Sequence, residues 1–371
     1  MRVALVHDWL TGMRGGEKVL QALMELFPEA HLFTLVFLPE KVSPVFQSQR
    51  VTVSPLQRLP FGRSHYRYYL PLYYEFMKGF DFSEYDLIIS SSSACAKWIQ
   101  NPKKRLHICY CHTPMRYIWD GFEEYFGSNA SLPVRWMARA FREYLQRCDL
   151  KSNEGVSYFI ANSSEVRHRI QRLYHREATV IHPPVELAAL KPESGERTYY
   201  LVVSALVPYK RIDLAIQGCN KKNLPLRIIG DGPERKRLEN MSGPTIQFEG
   251  WVPSEKLAGY YSHAKALIFP GREDFGIVPV EALSCGCPVI AFQEGGVQDT
   301  LTDGVTGVLF REQTVASLVE AIEKFSKMPF PDMKTLRKMM VKFSTSQFLF
   351  KMKNYIRKIY QFPPLPSSER P

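Results

Sequence analysis

The apolar positions of this chain fall into two alternating kinds of run. Short β-rich apolar runs recur along the sequence, and stretches with helical spacing of apolar side chains separate them. This alternation predicts β-α-β units, and hence parallel sheets with helices packed on them. The predicted strands form two series, at residues 2–7, 87–90, 107–111, 158–162 and 178–182, and then at 199–204, 226–230, 246–249, 266–269 and 288–291.

Two series of strands predict two doubly wound α/β domains, and 371 residues are more than one ordinary core needs. The proline-containing segment 182–195 is predicted to link them. The domains are therefore expected at residues 1–185 and 186–343. A further helix is predicted at about 344–361, with apolar side chains at helical spacing, and the tail after it is expected to be disordered.

Composition and charge limit the cellular location and the binding partners that can be expected. No apolar run reaches the ~18–20 residues of a membrane span, and Asp8 interrupts the short apolar start where a signal peptide would stay apolar. We therefore expect a cytoplasmic protein. The net charge is +11, with the excess of Lys and Arg before residue 186 and after residue 323. Anionic lipid, nucleic acid and solvent alone are all compatible with such a surface, but no recognised nucleic-acid module is present.

The seven cysteines indicate reduced, buried thiols. Their number is odd, and they lie mostly among apolar or small residues. Cys109, Cys111 and His112 resemble a group of metal ligands, but no second ligand cluster with suitable spacing follows. We therefore expect no metal site at these residues.

The most informative segment runs from Phe269 to Leu309. Glu273 follows a predicted strand, and Glu281 lies eight residues later in a short helix that Pro279 is expected to open. Backbone amides at the start of such a helix suit a phosphate group. Two surface glutamates on a strand–loop–helix fit the same spacing, so the pattern alone leaves both interpretations open. The amides concerned belong to Phe275, Gly276, Ile277 and Val278.

Glu273 and Glu281, followed by Gly286, Pro288 and Gly295–Gly296, resemble the signature of the group 1 glycosyltransferases, family GT4 with the GT-B fold. The resemblance extends over nearly the whole chain and is greatest to enzymes of bacterial polysaccharide synthesis, including mannosyltransferases of the WbaZ type. It implies two facing Rossmann-like domains, the first on the acceptor side and the second binding the nucleotide sugar. It also implies that the helix within residues 344–371 crosses back to the first domain. Other segments that agree in order are GG at 15–16, HTPMRYIWD from 112, ANSS from 161, PPV from 183, LVPYKR ending at 211 and IGDGPE from 229.

The resemblance also implies roles for single residues. Glu273 and His112 would lie near the transferred sugar, Glu281 would bind the ribose and Lys210 the diphosphate. A satisfied core histidine and a solvated Lys–Arg pair are the alternatives that the residues themselves leave open. The expected catalytic residues are His112, Lys210 and Glu273. The expected donor-binding residues are Gly15, Gly16, Lys210, Arg211, Glu273, Asp274, Phe275, Gly276, Ile277 and Glu281.

One departure from the family pattern concerns the diphosphate. Many members have an arginine a few residues before the lysine, but residues 204–209 contain none. Arg211, directly after Lys210, is expected to compensate in part.

The function implied is a retaining glycosyltransferase that uses a nucleotide-diphosphate sugar, first of all GDP-mannose, and a polysaccharide or lipid-linked glycan acceptor. The resemblance implies front-face substitution, in which the leaving diphosphate takes the proton of the acceptor. It also implies an enzyme that needs no bound metal and no other cofactor. A nucleotide-sugar epimerase of the same fold, an inactive scaffold and a basic nucleic-acid-binding protein are the alternatives. The motifs of phosphate-loop enzymes, of dinucleotide-binding domains and of serine hydrolases are absent.

Residues 58–80 mix four cations with many aromatic side chains. This composition suits the headgroup layer of an anionic membrane, and an ordinary packed helix with a solvated edge is the alternative. A lipid-linked acceptor would make such contact useful. We therefore expect peripheral binding at the inner face of the cytoplasmic membrane through this segment.

Overall fold

The computed structural model describes residues 1–123 and 132–361, apart from the side chains of Met137 and Gln361. Two compact units make up the chain. The first contains Met1–Asn162, Val166–Pro184 and the chain from Thr345 onward, and the second contains Ser163–Glu165 and Val185–Ser344. Each unit has its own parallel sheet and its own buried apolar clusters, which confirms the prediction of two Rossmann-like α/β domains.

The first unit contains a seven-stranded parallel sheet in the order β3-β2-β1-β4-β5-β6-β7. Its strands are β1 Val3–His7, β2 His31–Thr34, β3 Val51–Val53, β4 Leu87–Ser92, β5 Leu106–Cys111, β6 Tyr158–Ala161 and β7 Ala178–Val180. Its helices are α1 Gly15–Leu26, α2 Pro44–Gln47, α3 Tyr73–Lys78, α4 Leu132–Ser152, α5 Ser164–Tyr174, which begins in the second unit, and the last helix of the chain, Thr345–Gln361.

The second unit contains a six-stranded parallel sheet in the order β10-β9-β8-β11-β12-β13. Its strands are β8 Tyr199–Val203, β9 Leu226–Ile229, β10 Ile246–Gly250, β11 Ala264–Phe269, β12 Val289–Phe292 and β13 Gly307–Phe310. Its helices are α6 Ile212–Lys222, α7 Arg235–Asn240, α8 Ser254–Ser262, α9 Ile277–Ser284, α10 Val297–Thr300, α11 Val315–Ser326 and α12 Met333–Met340. The last helix of the chain is α13.

Three strands were not among those predicted: β2, β3 and β13. β2 contains the polar residues His31 and Thr34, and β3 is three half-buried residues long. Such short or mixed runs give little periodic signal, and pairing with an already formed neighbour supplies their hydrogen bonds. The central strands β1 and β4 are buried at every position, as strands covered on both faces are.

The helix α13 belongs to the first unit although it follows the second in sequence. Phe348, Met352, Ile356 and Ile359 are buried in one apolar cluster together with residues of α1 and β1. The predicted crossing back of the last helix is thus confirmed. The predicted tail, residues 362–371, lies outside the described residues.

Each sheet contains one point at which the order of the strands reverses. In the first unit this point lies between β1 and β4, and in the second it lies between β8 and β11. Connections leave the carboxyl ends of these neighbouring strands in opposite directions, so a crevice opens between the loops that follow them. Four loops are therefore candidate sites: those after β1 and β4, and those after β8 and β11.

Candidate functional site

Lys210 and Glu273 meet at the reversal point of the second sheet. Lys210 ends a short 3-10 turn after β8, and Glu273 lies in the loop after β11. The Nζ atom of Lys210 forms an ion pair with Oε1 of Glu273, and the two side chains are only 15% and 22% exposed. The structure therefore brings together a cation and a carboxylate that lie 63 positions apart in sequence.

Glycines allow the loops around this ion pair to pack closely. A Cβ atom on Gly271 would lie 2.8 Å from Cα of Lys210, and one on Gly296 would lie 2.2 Å from the carbonyl oxygen of Asp274. Gly295 has φ of +88°, a conformation that favours glycine. The backbone N–H of Gly296 donates to the carbonyl of Glu273 at 2.8 Å. The glycine pair thus holds the loop of Glu273 against the next loop of the sheet.

The loop after Glu273 leads directly into α9. Gly276 stands before the helix with φ of +84°, and the helix begins at Ile277. Pro279 therefore lies within the first turn and does not open the helix, which corrects the prediction. The first amides of a helix have no acceptor inside it and attract anions. The side chain of Phe275 is buried against Phe343, so this residue can offer a ligand only its backbone.

Glu281 lies further along α9 and is held by a buried tyrosine. The hydroxyl of Tyr261 donates to Oε2 of Glu281 at 3.0 Å. Burial, and secondarily the nearby Glu281 carboxylate, raise the pKa of Tyr261 well above its usual value, so this hydroxyl keeps its proton. Glu281 itself is half-buried. Tyr261 thereby fixes one oxygen of the carboxylate.

Arg211 is already engaged within the second unit. Its Nε and Nη2 atoms each lie 3.2 Å from an oxygen of Asp213. The residue has φ of +53° and stands directly before α6. Its charge is thus balanced locally, and its predicted compensation for the missing arginine stays a prediction.

In the first unit the predicted Gly15, Gly16 and His112 lie near one another. Gly15 and Gly16 begin α1, and His112 directly follows β5. A Cβ atom on Gly16 would lie 3.5 Å from Nε2 of His112. Nε2 of His112 also lies 2.8 Å from Oγ of Ser91, the penultimate residue of the neighbouring strand β4. The lack of a side chain at Gly16 therefore leaves room for the histidine.

His112 is neutral at physiological pH. Burial, and secondarily the nearby His7, lower the pKa of His112 to about 3. A neutral imidazole has one nitrogen that donates a hydrogen bond and one that accepts. His112 can therefore orient a hydroxyl group but does not supply a positive charge.

The sequence interpretation missed four residues that hold the predicted ones: Ser91, His7, Tyr261 and Gly271. His7 ends β1, and its register partner Ser91 is the penultimate residue of β4. Polar residues near the carboxyl ends of strands are the signal that could have pointed to them. Tyr261 lies inside a helix and Gly271 in a loop. Their importance depends on contacts distant in sequence.

Three features of the composition bear on the site: the cysteines, the possible metal ligands and the apolar helices. All seven cysteines are free and buried, as predicted. In residues 1–123 and 132–361, no three His, Cys, Asp or Glu side chains form a group able to hold a metal ion. No helix within the same ranges is both long and apolar enough to span a membrane.

Two family models match adjacent parts of the chain. The model of glycosyltransferase family 4 matches residues 13–189, and the model of glycosyl transferases group 1 matches residues 188–346. Together they cover residues 13–346, which include every predicted site residue.

Curated relatives and solved structures agree with the family models. An uncharacterized glycosyltransferase of Methanocaldococcus jannaschii is 30% identical over 44% of this chain and 48% of its own length. A GDP-mannose-dependent mannosyltransferase of Mycolicibacterium smegmatis, acting on phosphatidylinositol monomannoside, is 30% identical over 34% of this chain and 38% of its own length. The chain thus spans about half or less of the length of the curated relatives it matches.

Two solved structures resemble the fold over nearly the whole chain. Sucrose-phosphate synthase from Thermosynechococcus elongatus has a TM-score of 0.71 at 21% identity, covering 97% of this chain and 99% of that one. HepE of Anabaena, in complex with UDP-glucose, has a TM-score of 0.68 at 16% identity, covering 96% of this chain and all of the other. The chain belongs to the group 1 glycosyltransferases of family GT4, with the two Rossmann-like domains of the GT-B fold.

Proposed function

We propose that this glycosyltransferase retains anomeric configuration and transfers a sugar from a nucleotide-diphosphate donor, with mannose from GDP-mannose as the first candidate. The acceptor proposed is a polysaccharide or a lipid-linked glycan. One observation carries the proposal: Lys210 and Glu273 are paired in the reversal crevice of the second sheet, next to the first amides of α9. This arrangement offers one group for phosphate and one for sugar hydroxyls.

Binding of the donor would break the Lys210–Glu273 ion pair and give each side chain a new partner on the donor. A diphosphate that enters the crevice can take over the ammonium group of Lys210, and the amides at the start of α9 add further donors. Glu273, released from the lysine, can then accept hydrogen bonds from hydroxyls of the sugar. Glu281, whose Oε2 accepts the hydroxyl of Tyr261, is proposed to accept hydrogen bonds from the ribose.

The proposed mechanism is front-face substitution. The bond from the sugar to the diphosphate breaks, the acceptor oxygen attacks from the same face, and the leaving diphosphate oxygen takes the proton of the acceptor. The protein stabilises the negative charge that grows on the diphosphate, chiefly through Lys210 and the amides of α9. One preorganised contact of this kind is worth about 3–4 kcal/mol. His112 is proposed to orient a hydroxyl of the transferred sugar.

The names of relatives support GDP-mannose as the first donor to test. The relative in Mycolicibacterium smegmatis and another in Corynebacterium glutamicum, 31% identical over 38% of this chain, are both named GDP-mannose-dependent. UDP-glucose is the second candidate, because the similar HepE structure was determined with it. The matched segments are short, so the donor has to be measured.

The test is a thermal-shift comparison of GDP, UDP, ADP and dTDP, followed by transfer from the matching nucleotide sugar. A ligand at 100 times its Kd stabilises a folded protein by about 2.7 kcal/mol, so the correct base should stand out. Lys210→Ala should reduce the shift, whereas Lys222→Ala, which removes a lysine of the surface pair with Glu323, should not. If no nucleotide shifts the melting temperature, the proposed function is wrong.

We also propose peripheral membrane contact through residues 58–80. The structure divides this segment: Tyr66 and Tyr73 are buried in the core, whereas Phe61 and Tyr68 are 74% and 76% exposed. Arg63 and Lys78 form surface ion pairs with Glu40 and Glu75. The exposed aromatic side chains, together with Arg58 and Arg67, are the part of the segment proposed to enter a headgroup layer at the inner face of the cytoplasmic membrane.

A further inference from the structure

Four polar side chains of the first unit form a chain of contacts behind the start of α1: Glu17, His7, Ser91 and His112. Oγ of Ser91 lies 3.1 Å from Nδ1 of His7 and 2.8 Å from Nε2 of His112. Nε2 of His7 lies 4.0 Å from Oε1 of Glu17. We call these four residues the His112 relay.

The His112 relay joins residues of four neighbouring elements: β1, β4, the first turn of α1 and the residue that follows β5. His7 ends β1, and Ser91 is its register partner in β4. Glu17 lies in the first turn of α1, where its Oε2 atom accepts the backbone N–H of Arg14 at 2.9 Å. His7, Glu17 and Ser91 are all buried. This cluster is therefore rigidly placed by the sheet and by the start of the helix.

The carboxylate of Glu17 decides the direction of the hydrogen bonds. A carboxylate facing Nε2 of His7 favours a proton on that nitrogen, so Nδ1 of His7 has a free lone pair. The hydroxyl of Ser91 must then donate to Nδ1 of His7. Its oxygen is left to accept, and the donor that faces it is Nε2–H of His112.

We infer that Glu17, His7 and Ser91 are positioning residues that fix His112 as the Nε2–H tautomer and so present its Nδ1 lone pair as a hydrogen-bond acceptor for a substrate hydroxyl. Within residues 1–123 and 132–361, Nδ1 of His112 has no hydrogen-bond partner. If the hydrogen bonds of the relay ran in the opposite direction, Nε2 of His7 would present a lone pair to the carboxylate of Glu17. The functional meaning of this inference rests on the proposed role of His112 in sugar transfer. The assignment of the tautomer does not depend on that role.

A matched control lies in β4, the strand of Ser91, and in β5, the strand that precedes His112. Oγ of Ser90, which precedes Ser91, lies 2.8 Å from Nε2 of the buried His107. Nδ1 of His107 lies 3.1 Å from the carbonyl of Gly155, which can only accept, so this histidine has its proton on Nδ1. The Ser90–His107 pair thus has the same chemistry with the opposite tautomer, away from Gly16.

The experiment is nitrogen NMR of the full chain labelled with 15N-histidine, without donor, with the two histidines identified from His112→Gln and His107→Gln spectra. We expect the Nε2–H pattern for His112 and the Nδ1–H pattern for His107. Ser91→Ala should turn His112 into a mixture of tautomers, Ser91→Thr should keep the wild-type pattern, and Ser90→Ala should leave His112 unchanged. Nδ1–H on His112 in the wild type, or an unchanged tautomer in Ser91→Ala, would overturn the inference.

Transfer kinetics give the second readout. The loss of one ordering hydrogen bond worth about 1–2 kcal/mol corresponds to a 5- to 30-fold fall. Ser91→Ala should lower kcat by this factor without changing KM for the donor, and Ser91→Thr should restore it. If His112→Ala keeps full activity while the tautomer is as expected, the proposed role of His112 fails and the relay stands. If kcat of Ser91→Ala equals the wild type although His112→Ala is inactive, the positioning role is wrong.

Discussion

At the scale of single residues, the second unit concentrates its chemistry in two carboxylates of one loop–helix segment. Glu273 is paired with Lys210, whereas Glu281 is held by Tyr261. These different partners predict different consequences of removal. The residue that would face the reacting sugar should affect the rate, and the residue that would face the ribose should affect binding.

Glu273→Ala should lower kcat by about 10- to 100-fold with little loss of nucleotide affinity, because a hydrogen bond to a charged group contributes about 1.5–3 kcal/mol. Glu281→Ala should mainly weaken nucleotide binding. Steady-state kinetics and calorimetric titration with the nucleotide separate the two effects. Tyr261→Phe is the control, because it removes the hydrogen bond between Tyr261 and Glu281 but keeps the carboxylate of Glu281. Wild-type transfer rates in both alanine variants would refute the site.

Lys210 should contribute more than Arg211 to catalysis, because Asp213 already balances the charge of Arg211. Lys210→Ala should cost ~2–3 kcal/mol of transition-state stabilisation, measured from kcat/KM. Arg211→Ala should cost less. A silent Lys210→Ala together with a large loss in Arg211→Ala would reverse the assignment.

At the scale of elements, the last helix, α13, packs against α1 and the first sheet. Met352 is fully buried among residues of α1 and β1, and Phe350 on the same helix is 61% exposed. Met352→Ala should lower the free energy of unfolding by about 2–5 kcal/mol, because it removes buried atoms and leaves a cavity. Phe350→Ala is the matched control and should have little effect. Denaturant unfolding followed by tryptophan fluorescence checks both, and equal losses would contradict the packing.

The segment 58–80 is the second element with a testable role. Full-length protein should co-sediment with vesicles that contain anionic lipid at low salt, and less at high salt, because salt screens the attraction of lysines and arginines to the lipid. Replacing Phe61 and Tyr68 with serine should weaken the binding. Trp251→Ser removes an aromatic side chain that is 75% exposed in the second unit, and should not. Absence of binding at low salt would refute membrane contact.

At the scale of the whole molecule, the seven cysteines report on the integrity of both cores. Burial raises the pKa of Cys219 and of Cys287 to about 12, and a thiol reacts only as its thiolate. The native chain should therefore react slowly with a thiol reagent at pH 8, and the unfolded chain should expose all seven cysteines. Rapid native labelling of several thiols would contradict the structure.

The same raised pKa values set a pH dependence of stability. Above pH ~8.5 the thiols of the unfolded chain ionise while those of the folded chain remain protonated. The unfolded state then binds fewer protons, so the stabilisation due to the thiols is complete below about pH 8.5 and is lost as the pH rises toward about 12. Unfolding measured between pH 7 and 10 should show this decline, and cysteine-to-alanine variants should reduce it.

The class of fold and the family could be predicted from local patterns in the sequence. Long apolar strands and periodic helices are local patterns, and they identified ten of the strands that the structure contains. The apolar face of α13 could also be predicted, because four of its side chains recur at helical spacing. Motifs contiguous in sequence, such as the segment from Glu273 to Glu281, could likewise be recognised without coordinates.

The partners of these residues, by contrast, depend on how the chain folds. The pairing of Lys210 with Glu273, the hold of Tyr261 on Glu281 and the His112 relay all join residues from separate elements. Strand order places them together, because the loops at a reversal point come from strands distant in sequence. Arg211 differs, because its partner Asp213 lies only two positions further along the chain, but this contact too was not predicted from the sequence. Hydrogen bonds act over about 3 Å in space, and the linear pattern contains no measure of that distance.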